Sequence, residues 1–454
     1  MMESAILESL QKKYPTQEVQ RARLTELVAQ FGALPVGEIK SAVADILCLA
    51  KLLFEAGDER IVFDVRIQVL ELEATHPTGS QFVNNLEYLS RCLTGFKPAI
   101  FRTIQLYFAD CYGIDPALIT CLPKVTGQQT GTKVEVKRTT EETNPWVFYV
   151  KTHREFCSKT DPYFLVITSD GTGKVDFKEL FIYKVLEYIG YGPKVHFMID
   201  RDDTHTRIDE GILIATQDLS YTKRSEERKK SFKVFGEVRD ELSATPVEAM
   251  DLATRRDVIA IDMLSRAFLL EDVMMNQGNF GLTISSDLAE SDAVAANIKW
   301  KIVDFSPPLL RTEVGDDYSY ARHYPHAREI FHSFRIGNAS HTYDREGLEV
   351  LNRILIEGNA KHLWLPIIER LSVGTSAHLG VVEALERAFM DIQRLMEANT
   401  EILAIKPDRM ARRMADLMLY QTKIRENFQQ LETGMREYFR TDETTESFTA
   451  DQKR

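Results

Sequence analysis

The hydrophobic period changes near Leu122, and that change restricts the fold more than any other feature of the chain. Before it, apolar residues recur at three- and four-residue spacing through 39–54, 62–72 and 100–112. That is the period of amphipathic helices. Pro35, Gly57 and the segment 76–79 punctuate the pattern, as helix breakers should. An all-α N-terminal module over 1–115 is expected. After Leu122 the runs 134–137, 146–151 and 163–168 are short, β-branched or aromatic, and bounded by turn residues. A helical pattern over 176–189 interrupts them and ends at Gly190 and Gly192. Strand patterns return at 195–199 and 212–216. Residues 116–220 therefore read as a β-rich lobe with one inserted helix. A helix over 257–275, a strand over 299–305 and further helices make 221–440 a mainly helical lobe, and 441–454 a flexible polar tail. The expected class is α+β.

The composition limits the function classes. Of 454 residues, 44% are hydrophobic and 27% charged, which excludes disorder as the main state. The net charge is −12, from 56 basic and 68 acidic side chains. An acidic surplus of this kind argues against a chain that coats nucleic acid, which needs clustered cations. The five cysteines are odd in number, widely spaced and without a CxxC pair. Neither a disulfide framework nor a structural zinc site is expected, and a reducing, cytoplasmic or nuclear location fits. No apolar run approaches the ~20 residues of a membrane span, and the first residues lack the apolar stretch of a signal peptide. Residues 383–400 and 410–439 read as long charged helices with apolar stripes. They and the N-terminal helices offer surfaces to a protein partner, although such stripes are more often core. The run 223–230 (KRSEERKK) carries five cations and two glutamates, the composition of a solvated face.

Chemistry enters through the serial order of the middle segments. A loop containing Gly127 and Gly131 precedes an apolar strand that ends in Lys151. A helix with Glu179 follows, and two strands later come Gln217, Asp218 and Leu219. Asp272, Asn279-Phe-Gly-Leu282 and finally Ile302-Val-Asp304-Phe305 complete the series.

This order resembles the kinase-like fold, in its atypical branch of phosphatidylinositol 3-/4-kinases and HipA-type kinases. The resemblance covers roughly 122–308, and it implies a β-rich N-lobe, a helical C-lobe, and ATP with Mg²⁺ as cofactors. It implies that Lys151 acts on the α/β-phosphates and is held by Glu179. Asn279 and Asp304 become metal ligands, the Gly127–Gly131 loop approaches phosphate, and Gln217, Asp218 and Leu219 line the adenine. Asp272 becomes the catalytic base. Phosphoryl transfer asks a protein mainly for positioning and charge neutralisation, which these residue types supply. The substrate implied is a protein or lipid hydroxyl.

The sequence departs from the pattern in several places, among them the missing histidine of the loop and the long Lys151–Glu179 and Asn279–Asp304 separations. The catalytic aspartate of the family stands five residues before the asparagine, where this chain has Met274, and Asp272 lies seven before Asn279. Ser306 follows Phe305 where a glycine is usual. A pseudokinase scaffold that binds protein partners is therefore the alternative expectation. A third is calcium binding by 168–179. Asp170, Thr172, Gly173, Val175 and Glu179 fall at positions three, five, six, eight and twelve of an EF-hand loop, but Thr168 occupies position one. His323, His326, His332 and His341 cluster in sequence without the spacing of a convergent metal site.

Overall fold

The computed structural model describes residues 2–96, 98–124, 131–142, 144–151, 177–199, 212–220, 230–270, 273, 277–285, 298–305, 353–354, 361–403 and 407–451. The chain is α+β and divides into two compact units.

The first unit begins with six helices: α1 (Met2–Lys13), α2 (Gln17–Phe31), α3 (Ile39–Glu55), α4 (Ile61–Ala74), α5 (Gln81–Gly95) and α6 (Phe101–Tyr112). Thr16 and Ser80 cap α2 and α5 by accepting from Val19 N and Val83 N, as their hydroxyls allow. Gly113 ends α6 in the left-handed region, φ 64°. Strands β1 (Ile119–Lys124), β2 (Gly131–Val136), β3 (Trp146–Lys151), β4 (Val195–Ile199) and β5 (Ile212–Gln217) form one sheet in the order β1-β2-β3-β5-β4. The β1, β2, β3 and β5 pairs are antiparallel. Strand periodicity puts alternate side chains on opposite faces. Ile119, Cys121, Val134, Val136, Phe148, Val150, Leu213 and Ala215 join the helices in one apolar core. The helices and the sheet thus share a core, where the sequence pattern suggested two separate modules. A single sheet face must be covered, and the helices cover it.

The second unit holds α7 (Phe177–Tyr188), α8 (Phe235–Ala244), α9 (Leu252–Ala267), α10 (Lys361–Val373), α11 (Val381–Ala398) and α12 (Pro407–Asp451). It also holds an antiparallel sheet of β6 (Lys230–Val234), β7 (Phe280–Ser285) and β8 (Trp300–Ile302), in that order. Two expectations change here. Helix α7 belongs to this unit and not to the β-rich lobe, because eight of its residues are buried in it, from Phe177 to Leu186. Helix α12 runs to Asp451, through most of the segment expected to be a loose tail. Strands β6 and β7 were not legible in the sequence. Phe280 of β7 and Trp300 of β8 are fully buried with Phe235 beside them. Among the described residues no helix is long and apolar enough to cross a membrane.

Candidate functional site

In the first unit, Lys151 is the last residue of β3 and is half-buried. It pairs in register with Ile214 of β5. Its parity matches Tyr149 and Val147, so its side chain leaves the sheet on the face away from the apolar core. The register places Leu122, Lys133, Tyr149 and Thr216 side by side on that face. Lys133 and Glu135 form a buried ion pair there at 3.0 Å. The Tyr149 hydroxyl donates to Asp218 at 3.1 Å, and Lys124 lies over the Tyr149 ring at 5.7 Å. The Asp218 backbone N–H donates to Val147 O at 2.8 Å, which extends β5 by one residue. Asp218 therefore shares the face of Lys151. Gln217 has the opposite parity, since it pairs with Phe148. Leu219 lies in the turn after it, half-buried.

Gly131 opens β2, and a Cβ there would lie 2.4 Å from Val150 O. Its lack of a side chain serves the close approach of two strands. Gly127 lies outside the described residues, as do Asp272, Met274, Asn276, residues 168–176 of the calcium-loop reading, the four clustered histidines and most of 223–230.

In the second unit, Asn279 and Asp304 are brought together by backbone pairing. Asn279 O accepts from Val303 N at 2.8 Å and from Asp304 N at 3.2 Å. Phe280 and Ile302 are register partners one step further along. Asn279 is buried and Asp304 is half-buried, with Oδ1 accepting the Phe305 N–H at 3.0 Å. Phe305 is buried and packs its ring on Tyr183, centroids 4.5 Å apart. Tyr183 follows Glu179 by one helical turn on α7, so the two share a helix face. The strand end with Asp304 is thereby docked to the helix that carries Glu179. Gly281 sits where a Cβ would meet Lys233 O at 2.3 Å, so this glycine too answers to strand packing.

The segment that leads into Asp272 has an unusual backbone. Among the described residues Leu269 is the one non-glycine with positive φ, at 60°. It closes α9 with Leu269 N donating to Arg266 O and Leu270 N to Ser265 O, the pairing of a Schellman turn. A leucine there stores of the order of 1–2 kcal/mol of strain.

Asn279 and Asp304 offer side-chain oxygens from adjacent backbone, which suits Mg²⁺. Among the described residues no three His, Cys, Asp or Glu side chains converge on a common point. The pair would hold Mg²⁺ only together with phosphate oxygens and water, the usual arrangement for this ion. The sequence reading missed Tyr183, Tyr149 and the Lys133–Glu135 pair. Strand alternation could have placed the last two on the face of Lys151, whereas the Tyr183 contact is long-range and leaves no local signal.

Comparison with protein-family models, with curated proteins and with solved structures finds no match to this chain.

Proposed function

We propose that the protein is an atypical kinase-like protein that binds ATP with Mg²⁺. The observation that carries this reading is the docking of Phe305 on Tyr183. It couples the Asp304 strand end to the Glu179 helix, while Asn279 is hydrogen-bonded to the same strand end. In this reading Lys151 meets the α/β-phosphates as a point charge. Glu179 is the helix carboxylate of the set. Asn279 and Asp304 hold the metal, which when bound neutralises phosphate charge. If turnover occurs, the acceptor is a protein or lipid hydroxyl and Asp272 takes its proton.

A second reading, a pseudokinase that binds nucleotide without transfer, has one specific support. Met274 stands five residues before Asn279, where the resemblance calls for the catalytic carboxylate. A displacement of about 1 Å in a catalytic group costs on the order of a hundredfold in rate.

A thermal-shift titration with Mg-ATP tests the binding function. The wild-type chain should gain several degrees at saturating nucleotide, following the mass-action rule for a ligand of the folded state. Lys151→Ala and Asp304→Ala should each lose most of that gain. No shift in the wild type, or an equal shift in both variants, sinks the proposal. ATP turnover then separates the two readings.

A further inference from the structure

Helix α7 is gripped on the side opposite Glu179 by the C-terminal helices. At about 100° per residue, Phe177, Phe181 and Tyr188 fall within roughly 40° of one another and about 180° from Glu179. Each of the three meets α11 or α12. The Arg413 guanidinium of α12 lies 5.4 Å from the centre of the Phe177 ring. Tyr420 of α12 packs edge-on to Phe181, centroids 6.3 Å apart and planes at 67°. The Tyr188 hydroxyl donates to Asp391 of α11, and Arg387 of α11 lies 5.2 Å from the Tyr188 ring centre. Burial and the Asp391 carboxylate push the Tyr188 phenol up to about 12, so it stays a donor at neutral pH.

The same helix α12 also grips the end of α9. The Tyr420 hydroxyl is fully buried and donates to Phe268 O at 2.6 Å. About two turns further along, Asn427 Nδ2 donates to Ala267 O at 3.1 Å. Phe268 and Ala267 immediately precede Leu269, with its positive φ, and the segment that runs to Asn279. Tyr420 thus touches both the Glu179 helix, through its ring, and the entry to the Asn279 segment, through its hydroxyl.

We propose that α11 and α12 are an in-chain brace for the nucleotide site, with Asp391 and Tyr420 as positioning residues. Asp391 sets the rotation of α7 and so the direction of Glu179. Tyr420 ties that helix to the strained turn from which the metal-binding segment departs. The C-terminal segment thereby controls nucleotide affinity without touching nucleotide. This rests on the ATP reading above.

The test uses the full chain, with ATP affinity measured both in Mg²⁺ and in EDTA. Asp391→Ala, which removes the acceptor of the Tyr188 hydroxyl, should weaken ATP several-fold in both conditions, because Glu179 belongs to the nucleotide set and is not a metal ligand. Tyr420→Phe keeps the ring on Phe181 and removes only the hydroxyl. It should leave the EDTA affinity unchanged and reduce the Mg²⁺ enhancement at least threefold. A merely structural role would lower the melting temperature and leave that enhancement as it was. Should Asp391→Ala fail to fold, Tyr188→Phe removes the same hydrogen bond at lower cost. Wild-type affinities and an unchanged Mg²⁺ enhancement in these variants overturn the brace and leave the ATP reading intact. A wild-type chain that binds no ATP overturns both.

Discussion

Two glycines that look functional in the sequence are held by strand contact. Sequence order places Gly131 in a phosphate loop and Gly281 in a metal-loop signature. In each case the space for a Cβ is taken by backbone of the adjacent strand, Val150 O at 2.4 Å and Lys233 O at 2.3 Å. Backbone in a paired ladder cannot swing aside as a flexible side chain can. Gly131→Ala and Gly281→Ala should therefore each destabilise by about 1–3 kcal/mol, the usual range for overpacking. A lower denaturant midpoint with an unchanged slope would show it. Midpoints within error of the wild type would return both residues to a purely functional explanation. At the same scale, Lys151, Asn279 and Asp304 were legible because charged or amide side chains at the ends of apolar runs stand out. Asp218 was legible as part of a hinge, but its hydrogen bond from Tyr149 depends on strand register. No composition rule gives that register.

At the scale of elements, helix α7 and its surroundings carry the most consequence. Its helical period was readable over 176–189, yet the sequence assigned it to the β-rich lobe because strands flank it on both sides. Packing decided otherwise, through Phe177, Phe181 and Tyr188. The turn after α7 is also tied to the turn between α10 and α11. Leu379 N donates to Tyr188 O at 2.9 Å, and the His378 ring fills the space beside Gly190. His378 is half-buried. Burial first, and then the Lys301 and Arg370 cations, hold its pKa below the ordinary histidine value. A base with a lowered folded pKa contributes stability that is present above its unfolded value, about 6.5, and is lost as pH falls through the folded one. Stability should drop on acidification below about pH 6.5, and His378→Gln should flatten that part of the profile. Urea midpoints measured from pH 7.5 down to 5 would decide, and parallel curves for the two proteins would remove His378 from the account. Near this turn, Asp257 is fully buried and meets Arg370 at 3.1 Å and the Lys299 N–H at 2.8 Å. An aspartate within a helix gives no such warning in sequence.

For the whole molecule, the cysteines report on integrity. Cys48, Cys92 and Cys121 are buried and Cys111 is exposed. Burial pushes the thiol of Cys92 up to about 11 and that of Cys121 up to about 12. Since the thiolate is the nucleophile, iodoacetamide at pH 8 should label Cys111 well ahead of those three. They should follow only when the first unit opens. Equal labelling rates in the native protein, read by peptide mass spectrometry, would contradict the burial of these three thiols.

The sequence by itself determined most of the helices, several of the strands, their order and the α+β class. These follow from local periodicity and from side-chain type, which act over a few residues. The tertiary structure alone decided that the N-terminal helices and the five-stranded sheet share one core. It alone decided that α7 belongs with the C-terminal helices, that Phe305 finds Tyr183, and that Tyr420 spans Phe181 and Phe268. Such pairings join residues tens to hundreds of positions apart. They are selected by shape and by the need to cover apolar faces and satisfy buried polar groups, and neither requirement is written in any short window of the chain.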